Sequence, residues 1–242
     1  MDCIVKNDSE LMAAHSSKVP KIVLGSDIQL SSSEHIVISG ATTIEMNGHS
    51  IAGYKVDNVP SNRIFFVDQD KSLTLNGPGT LKDGHADEGG AIFNRGTLVL
   101  NDITITGCSA HRGGAIYNEG MLCMQGVIVA NDNTGDDNLP DNVFLASGKV
   151  ITVQGTFSEG TLIGVTLGDG AGSFTTGYSA YNGSLDPAMV FVPDVAASHL
   201  SLHDGEVELA PGRYYNCTEV RKYVSLMELL KETGRDIGDA ES

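Results

Sequence analysis

Side chains able to hold a cation or a sugar crowd the middle of this 242-residue chain. Asp83, His85, Asp87 and Glu88 precede one Gly-Gly pair, and His111 and Arg112 precede another. Asp132, Asp136, Asp137 and Asp141 follow in a polar excursion. Carboxylate oxygens suit Ca²⁺, and carboxylates beside imidazoles and a guanidinium can also hydrogen-bond the hydroxyls of a glycan. The plain alternative is that these acids and glycines solvate surface loops. The run Asn131-x-Asn133-x-Gly135-Asp136 lacks the spacing and the distal Glu of a calcium loop. Tyr178 and Tyr181, next to Asn182, could offer flat faces to a sugar ring or pack within a Gly/Ser-rich cap.

An enzyme acting on polysaccharides would need more. Glycoside hydrolysis takes two carboxylates flanking one bond, and lyase chemistry takes clustered acids with a basic group. The outward strand positions expected are Glu45, Thr74, Val99, Cys123 and Thr152, with Thr104 and Ile128 on the following strand. One carboxylate in that set makes no pair, so no catalytic residue is assigned. No Ser/His/Asp order, phosphate-binding loop or dinucleotide fingerprint appears.

The elements that position these groups follow from an internal repeat. Gly89-Gly90-Ala91-Ile92-Phe93-Asn94 recurs as Gly113-Gly114-Ala115-Ile116-Tyr117-Asn118, 24 residues later. A second phrase, two apolar residues around one outward residue and then an amide, ends at Asn47, Asn76, Asn101, Gln125 and Gln154. Period-two alternation makes each phrase a short strand, and the Gly that follows most of the amides makes a turn. A unit of about 25 residues holds three short strands and three turns. Stacked units form an all-β, right-handed parallel β-helix of about six coils. The five amides are expected to form a structural ladder that keeps polar groups in the turns paired.

The expected organisation is an N-terminal cap helix in residues 1–20, the solenoid in 21–160, irregular closing coils in 161–212, and a C-terminal helix and tail in 213–242. Asp8 or Ser9 is the expected cap of the first helix, and a polar loop is expected to leave the solenoid at 52–63. Ser201–Leu209 reads as an alternating strand. Thr218 can cap a helix running to Thr233, whose apolar face would cover the last coil or a second copy of the chain.

Composition narrows the partners. Thirty-one acidic residues against fifteen basic ones set a formal net charge of −16, and no basic stripe is present. Binding to nucleic acid or to an anionic membrane surface is disfavoured. No apolar run is long enough to cross a bilayer, and the first residues lack the basic flank and apolar core of a leader. The four cysteines show no metal-ligand spacing and read as free thiols. No cofactor is expected, calcium at Asp132, Asp136, Asp137 and Asp141 being the sole candidate.

The Gly-Gly-Ala-Ile-(Phe/Tyr)-Asn copies, each followed by Gly-x-Leu-x-Leu/Met, resemble the repeats of polymorphic outer membrane proteins and adhesin-like bacterial surface proteins. The resemblance covers about residues 20–210. It implies a parallel β-helix outside the cell or at its surface, binding a host glycan or protein without catalysis. The binding edge expected on that reading comprises Asp83, His85, Asp87, Glu88, His111 and Arg112, with Tyr178 and Tyr181. Two alternatives stay open: a polysaccharide lyase or glycoside hydrolase of the same fold, and a structural virion component such as a tail or decoration protein.

Overall fold

The computed structural model describes residues 3–195 and 198–211. The helix expected from Thr218 to Thr233, the contacts assigned to it, and Cys217 lie outside the described residues. The chain is a parallel β-solenoid of about seven turns, one more than expected. The added rung lies at the N-terminus, where Cys3–Val5 pairs in parallel with Lys21–Leu24.

Three faces make each central coil. The first stacks Ala41–Glu45, the start of Ser72–Lys82, the start of Thr97–Thr106, Met121–Gly126 and Ile151–Phe157. The second stacks Ser50–Ala52, the later halves of Ser72–Lys82 and Thr97–Thr106, and Val129–Ala130. The third stacks Ile36–Ile38, Phe65–Val67, Ile92–Asn94, Ile116–Asn118 and Val143–Leu145. Towards the C-terminus the coil tightens, and the single strand Leu162–Leu167 pairs with both the second and third faces.

Alternation drives the core. Ile44, Leu75, Leu100, Met124 and Val153 form one inward column, and Phe65, Ile92, Ile116 and Val143 form another, all at 2% exposure or less. Full burial of each such side chain is worth about 1.5–3 kcal/mol, so the stacked columns are the main favourable contribution.

Register corrects several expectations. Asn76 lies opposite Glu45, not Asn47, because Leu75 pairs with Ile44. The ladder therefore runs Glu45–Asn76–Asn101: Asn76 Nδ2 donates to Glu45 Oε1 (3.1 Å), and Asn101 Nδ2 donates to Asn76 Oδ1 (2.6 Å). Asn47 sits two residues further on in a turn at φ 51°, its amide donating to Leu24 O. Thr43, not Glu45, is the outward residue in line with Thr74. At the other end a register shift follows Met124, and Gln154 is exposed. Among the described residues, Gln125 and Gln154 share no side-chain hydrogen bond.

The next corner holds a second correction. Asn101 pairs with Gln125, yet Thr104 pairs with Val129, so one extra residue enters the later coil between them. Gly126 turns the chain at φ 76°, and the freed amide of Val127 donates to Asp102 Oδ1 (2.8 Å). This slip of one residue exchanges the faces. Ile128 points into the core, fully buried, where it was expected outside.

A second polar ladder lies on the third face, at the asparagines that close each repeated phrase. Asn94 and Asn118 are buried, and Asn94 Nδ2 donates to Asn118 Oδ1 (2.7 Å) and Met121 O (2.9 Å).

Both ends depart from the central coils. The first helix, Asp8–Ser16, is capped by Asn7, whose side chain accepts from Glu10 N, rather than by Asp8 or Ser9. Its Leu11 and Ala14 join the core. Asp8 instead accepts from Ser31 N (3.1 Å). Residues 52–63 hold an antiparallel hairpin, Lys55–Val56 with Val59–Pro60. Ser201–Leu209 is not one strand: Asp204-Gly205 turns it into a hairpin of Ser198–His203 and Glu206–Pro211. Both turn residues take positive φ, the conformation for which Asp-Gly is favoured. Val207 and Leu209 of this hairpin are buried in the core.

Candidate functional site

The edge before the Gly-Gly pairs is a two-stranded parallel sheet of His85–Glu88 and Ser109–Arg112. Pairing of Ala86 with Ala110 and of Glu88 with Arg112 places Asp87 beside His111. His85 Nδ1 lies 2.9 Å from Ser109 Oγ. The next coil adds Thr134 beside Ser109, and the His111 ring bonds the Asp136 carboxylate. Asp83, at φ 59°, ion-pairs with Lys55 of the hairpin (2.9 Å). Several of these charges thus meet partners within the protein, which lowers the demand for an external ligand.

The remaining acids are not drawn into one cluster. Asp132 is exposed and accepts from the neighbouring Asn131 amide (3.1 Å). Asp141 lies half-buried where the next coil begins, and burial raises its pKa. The side chain of Asp137 is outside the described set. Among the described residues, no group of three or more His, Cys, Asp or Glu side chains gathers as a metal site.

Asp141 borders a buried polar network absent from the sequence reading. Asp194 accepts from Asn142 N (2.7 Å), Asn142 Nδ2 (2.6 Å) and Thr166 Oγ1 (3.3 Å). Asn142 Oδ1 in turn accepts from Asn133 N and Nδ2, both at 3.0 Å. Asn133 Oδ1 accepts from Cys108 N (3.0 Å). Burial, opposed by the Asn142 hydrogen bonds and reinforced by Asp141, raises the Asp194 carboxyl to about 6. These bonds tie separate coils together, so both Asp194 oxygens are engaged in structure. Cys108 packs beneath the same turn; Gly84 N donates to its sulfur (3.3 Å), and burial pushes the thiol up to about 12.

The two tyrosines do not form a platform. Tyr178 is fully buried, its hydroxyl donating to Leu185 O (3.1 Å), because it opens the short helix Tyr178–Asn182 that packs on the last coil. Tyr181 is half exposed.

One open site lies at a different corner, where the third face turns into the first. A groove of about 460 Å³ crosses successive coils there, lined by Gln69 and Asp70, Arg95 to Thr97, Glu119 to Met121, Gly148 to Val150, and Thr152. Glycine shapes it. A Cβ on Gly96 would stand 2.3 Å from Lys71 O, and one on Gly120 would stand 2.1 Å from Gly96 O, so the stacked turns admit no side chain. Long side chains on either side of that column then become walls. Arg95 Nε and Glu119 Oε2 pair at 3.0 Å, and Met121 leaves 55% of its surface exposed.

One wall continues into an aromatic stripe. Phe66, Phe93, Tyr117 and Phe144 occupy the outward position of the third face on consecutive coils. Their centroids are 5.3, 5.1 and 5.1 Å apart, the first two pairs edge-on and the last stacked. Arg63 and Arg95 lie over Phe93 at 5.1 and 4.8 Å, and Arg112 lies over Phe144 at 5.5 Å. Aromatic pairs contribute about 0.5–1.5 kcal/mol beyond area, and cation–π contacts about 0.5–2 kcal/mol. Arg63 also donates to Glu88 O and Gly89 O, which fixes its guanidinium. The three arginines are every arginine among the described residues.

The signal for this site was the repeat itself. Arg95-Gly96 and Glu119-Gly120 follow the asparagines of the two Gly-Gly-Ala-Ile copies, and the four aromatics share one phase. Comparison of the chain with family models, with curated proteins and with solved structures returned no match.

Proposed function

We propose that this chain is a non-catalytic β-solenoid module of the adhesin type, working outside the cell or at its surface and binding a glycan. The observation that carries the reading is the groove from Gln69 to Thr152. It crosses several coils, so an extended chain can lie along it. Its walls supply amide, hydroxyl and charged groups for hydrogen bonds, and Met121 supplies an apolar contact for a sugar face. The resemblance of the repeats to polymorphic outer membrane proteins supports the same reading. Of the two acids that line the groove, Asp70 and Glu119, Glu119 is held by Arg95, and the buried Asp194 is held by Asn142.

A glycan array on the purified chain, with product analysis of any bound polysaccharide, tests this. Binding without cleavage, lost in Met121→Arg at unchanged melting temperature, is the expected result. Cleavage of a bound chain overturns the non-catalytic reading in favour of a polysaccharide enzyme. An array with no binder overturns the glycan reading.

A further inference from the structure

The groove opens onto a strand surface whose central outward positions are uncharged. Thr97, Met121 and Thr152 of its lining belong to strands of the first face. Register extends them into two outward columns. One runs Thr43, Thr74, Val99, Cys123, Thr152 and Thr176, and the other runs Ala41, Ser72, Thr97 and Met121. None of these side chains is an acid or a base, although the chain has a net charge of −16. Charge returns at the N-terminal border, where Lys21 lies beside Thr43 and pairs with Glu45. Within the groove the charges balance, Asp70 and Glu119 against Arg95 and Lys149, and Arg95 is already paired with Glu119. Thr74, Val99 and Thr152 are partly exposed and Met121 is exposed, while Cys123 is buried outside the core cluster.

On the glycan-binding reading above, which this inference deepens and rests on, we propose that the ligand is an uncharged glycan polymer. It lies across the coils, partly in the groove and partly on the threonine columns. Strands repeat at about 4.8 Å, so the column from Thr43 to Thr176 extends roughly 24 Å, a length that suits a polymer. Each threonine offers a hydroxyl that donates and accepts, with a methyl beside it, which matches the hydroxyls and C–H groups of a neutral sugar. Threonine and valine are stiff at χ1, so the surface is ordered before binding and little rotamer freedom is lost. A polyanion meets the net charge of −16 and finds no cation in the two columns to offset it. A second copy of the chain brings the same charge and meets a surface of hydroxyls more than hydrocarbon, so it suits this face less well than a neutral glycan.

Two pairs of polymers with a shared backbone test the proposal: hydroxyethyl cellulose against carboxymethyl cellulose, and fully methyl-esterified polygalacturonate against polygalacturonate. Binding is measured by calorimetry. The expected result is that the neutral member of at least one pair binds and its charged counterpart binds much more weakly. The affinity should hold between about 0.01 M and 1 M salt, where the screening length falls from about 30 to about 3 Å. Val99→Arg, which sets a long charged side chain in the middle of the first column, should weaken binding by about tenfold or more. Val99→Thr should preserve it, and so should Val56→Arg on the exposed hairpin. Circular dichroism and melting should match the wild type for all three variants. Equal or tighter binding of the charged members overturns the neutral selectivity while leaving the glycan-binding reading intact. Binding that Val99→Arg leaves unchanged confines the ligand to the groove and overturns the extension onto the columns. A dimer by light scattering that Val99→Arg splits gives the face to a second copy and overturns the proposal. Failure of all four polymers overturns it too, and the array described above then decides the broader reading separately.

Discussion

The Asp194 network makes a pH-dependent stability that can be worked out in sign and size. The perturbation is a change of pH from about 4 to 7, in the wild type and in Asp194→Asn. The unfolded carboxyl has its ordinary pKa of 3.8, and the folded one is raised to about 6. Between those values the native state holds more protons than the unfolded state. The unfolding free energy therefore falls as pH rises through this window and levels off above it. Each pKa unit is worth 1.36 kcal/mol, so the loss amounts to about 3 kcal/mol. Asp141 adds to the same trend, because burial raises it as well. In Asp194→Asn the part of the slope due to Asp194 disappears, at a cost. The new amide can accept from Asn142 N but presents its own donors to Asn142 Nδ2. The Asn142 side chain cannot turn, since its oxygen already accepts two bonds from Asn133. One buried donor is left unpaired, costing about 1–3 kcal/mol. The wild type should thus be clearly more stable at pH 4–5, and the two proteins should converge near pH 7. Urea denaturation at unit pH steps reads this directly. Parallel pH profiles for the two proteins would refute the assignment of the slope to Asp194.

Three further outcomes follow from packing and burial. Ile116→Ala empties a fully buried position in the middle of the stack and should cost about 2–5 kcal/mol in urea unfolding. Gly120→Ala forces a methyl within 2.1 Å of Gly96 O and should cost about 1–3 kcal/mol or more, whereas Gly40→Ala meets nothing within 4 Å and should stay within about 0.5 kcal/mol. Thiol labelling at pH 8 should leave Cys108 and Cys123 unmodified in the native protein and modify them on unfolding, because both are buried and both are raised by that burial.

The fold was legible because its determinants are periodic. Inward Ile, Leu and Val recur at one phase, so stacking follows from the spacing of Leu73, Leu98 and Leu122 without knowledge of any contact. Where the period changes length, the reading slipped. The insertion at Gly126-Val127 adds one residue and turns Ile128 inward, and the longer step before Asn76 misaligned Asn47 by two. An isolated phrase match cannot detect such shifts; the capping of the freed amide by Asp102 is a tertiary fact. The Asp204-Gly205 hairpin was missed for the opposite reason, since alternation on both sides masked a local turn signal.

The acidic residues drew attention as a cluster in sequence, but charge in sequence does not show whether a group is already partnered. Asp83 and Asp194 have partners from the hairpin or from another coil, at separations of 28 and 52 residues, which repeat analysis does not supply, whereas the His111–Asp136 contact spans one repeat step of 25 residues. The groove has the reverse character. It arises where glycine recurs in phase, at Gly96 and Gly120, while the neighbouring position varies as Arg95 and Glu119. In a solenoid the invariant positions of the repeat maintain stacking, and the positions free to differ between coils are those whose side chains reach solvent at the corners. A ligand site is therefore to be sought at repeat positions of unlike chemistry beside a column of glycine, and the combination of Arg95, Glu119, Met121 and Lys149 along this groove meets that condition.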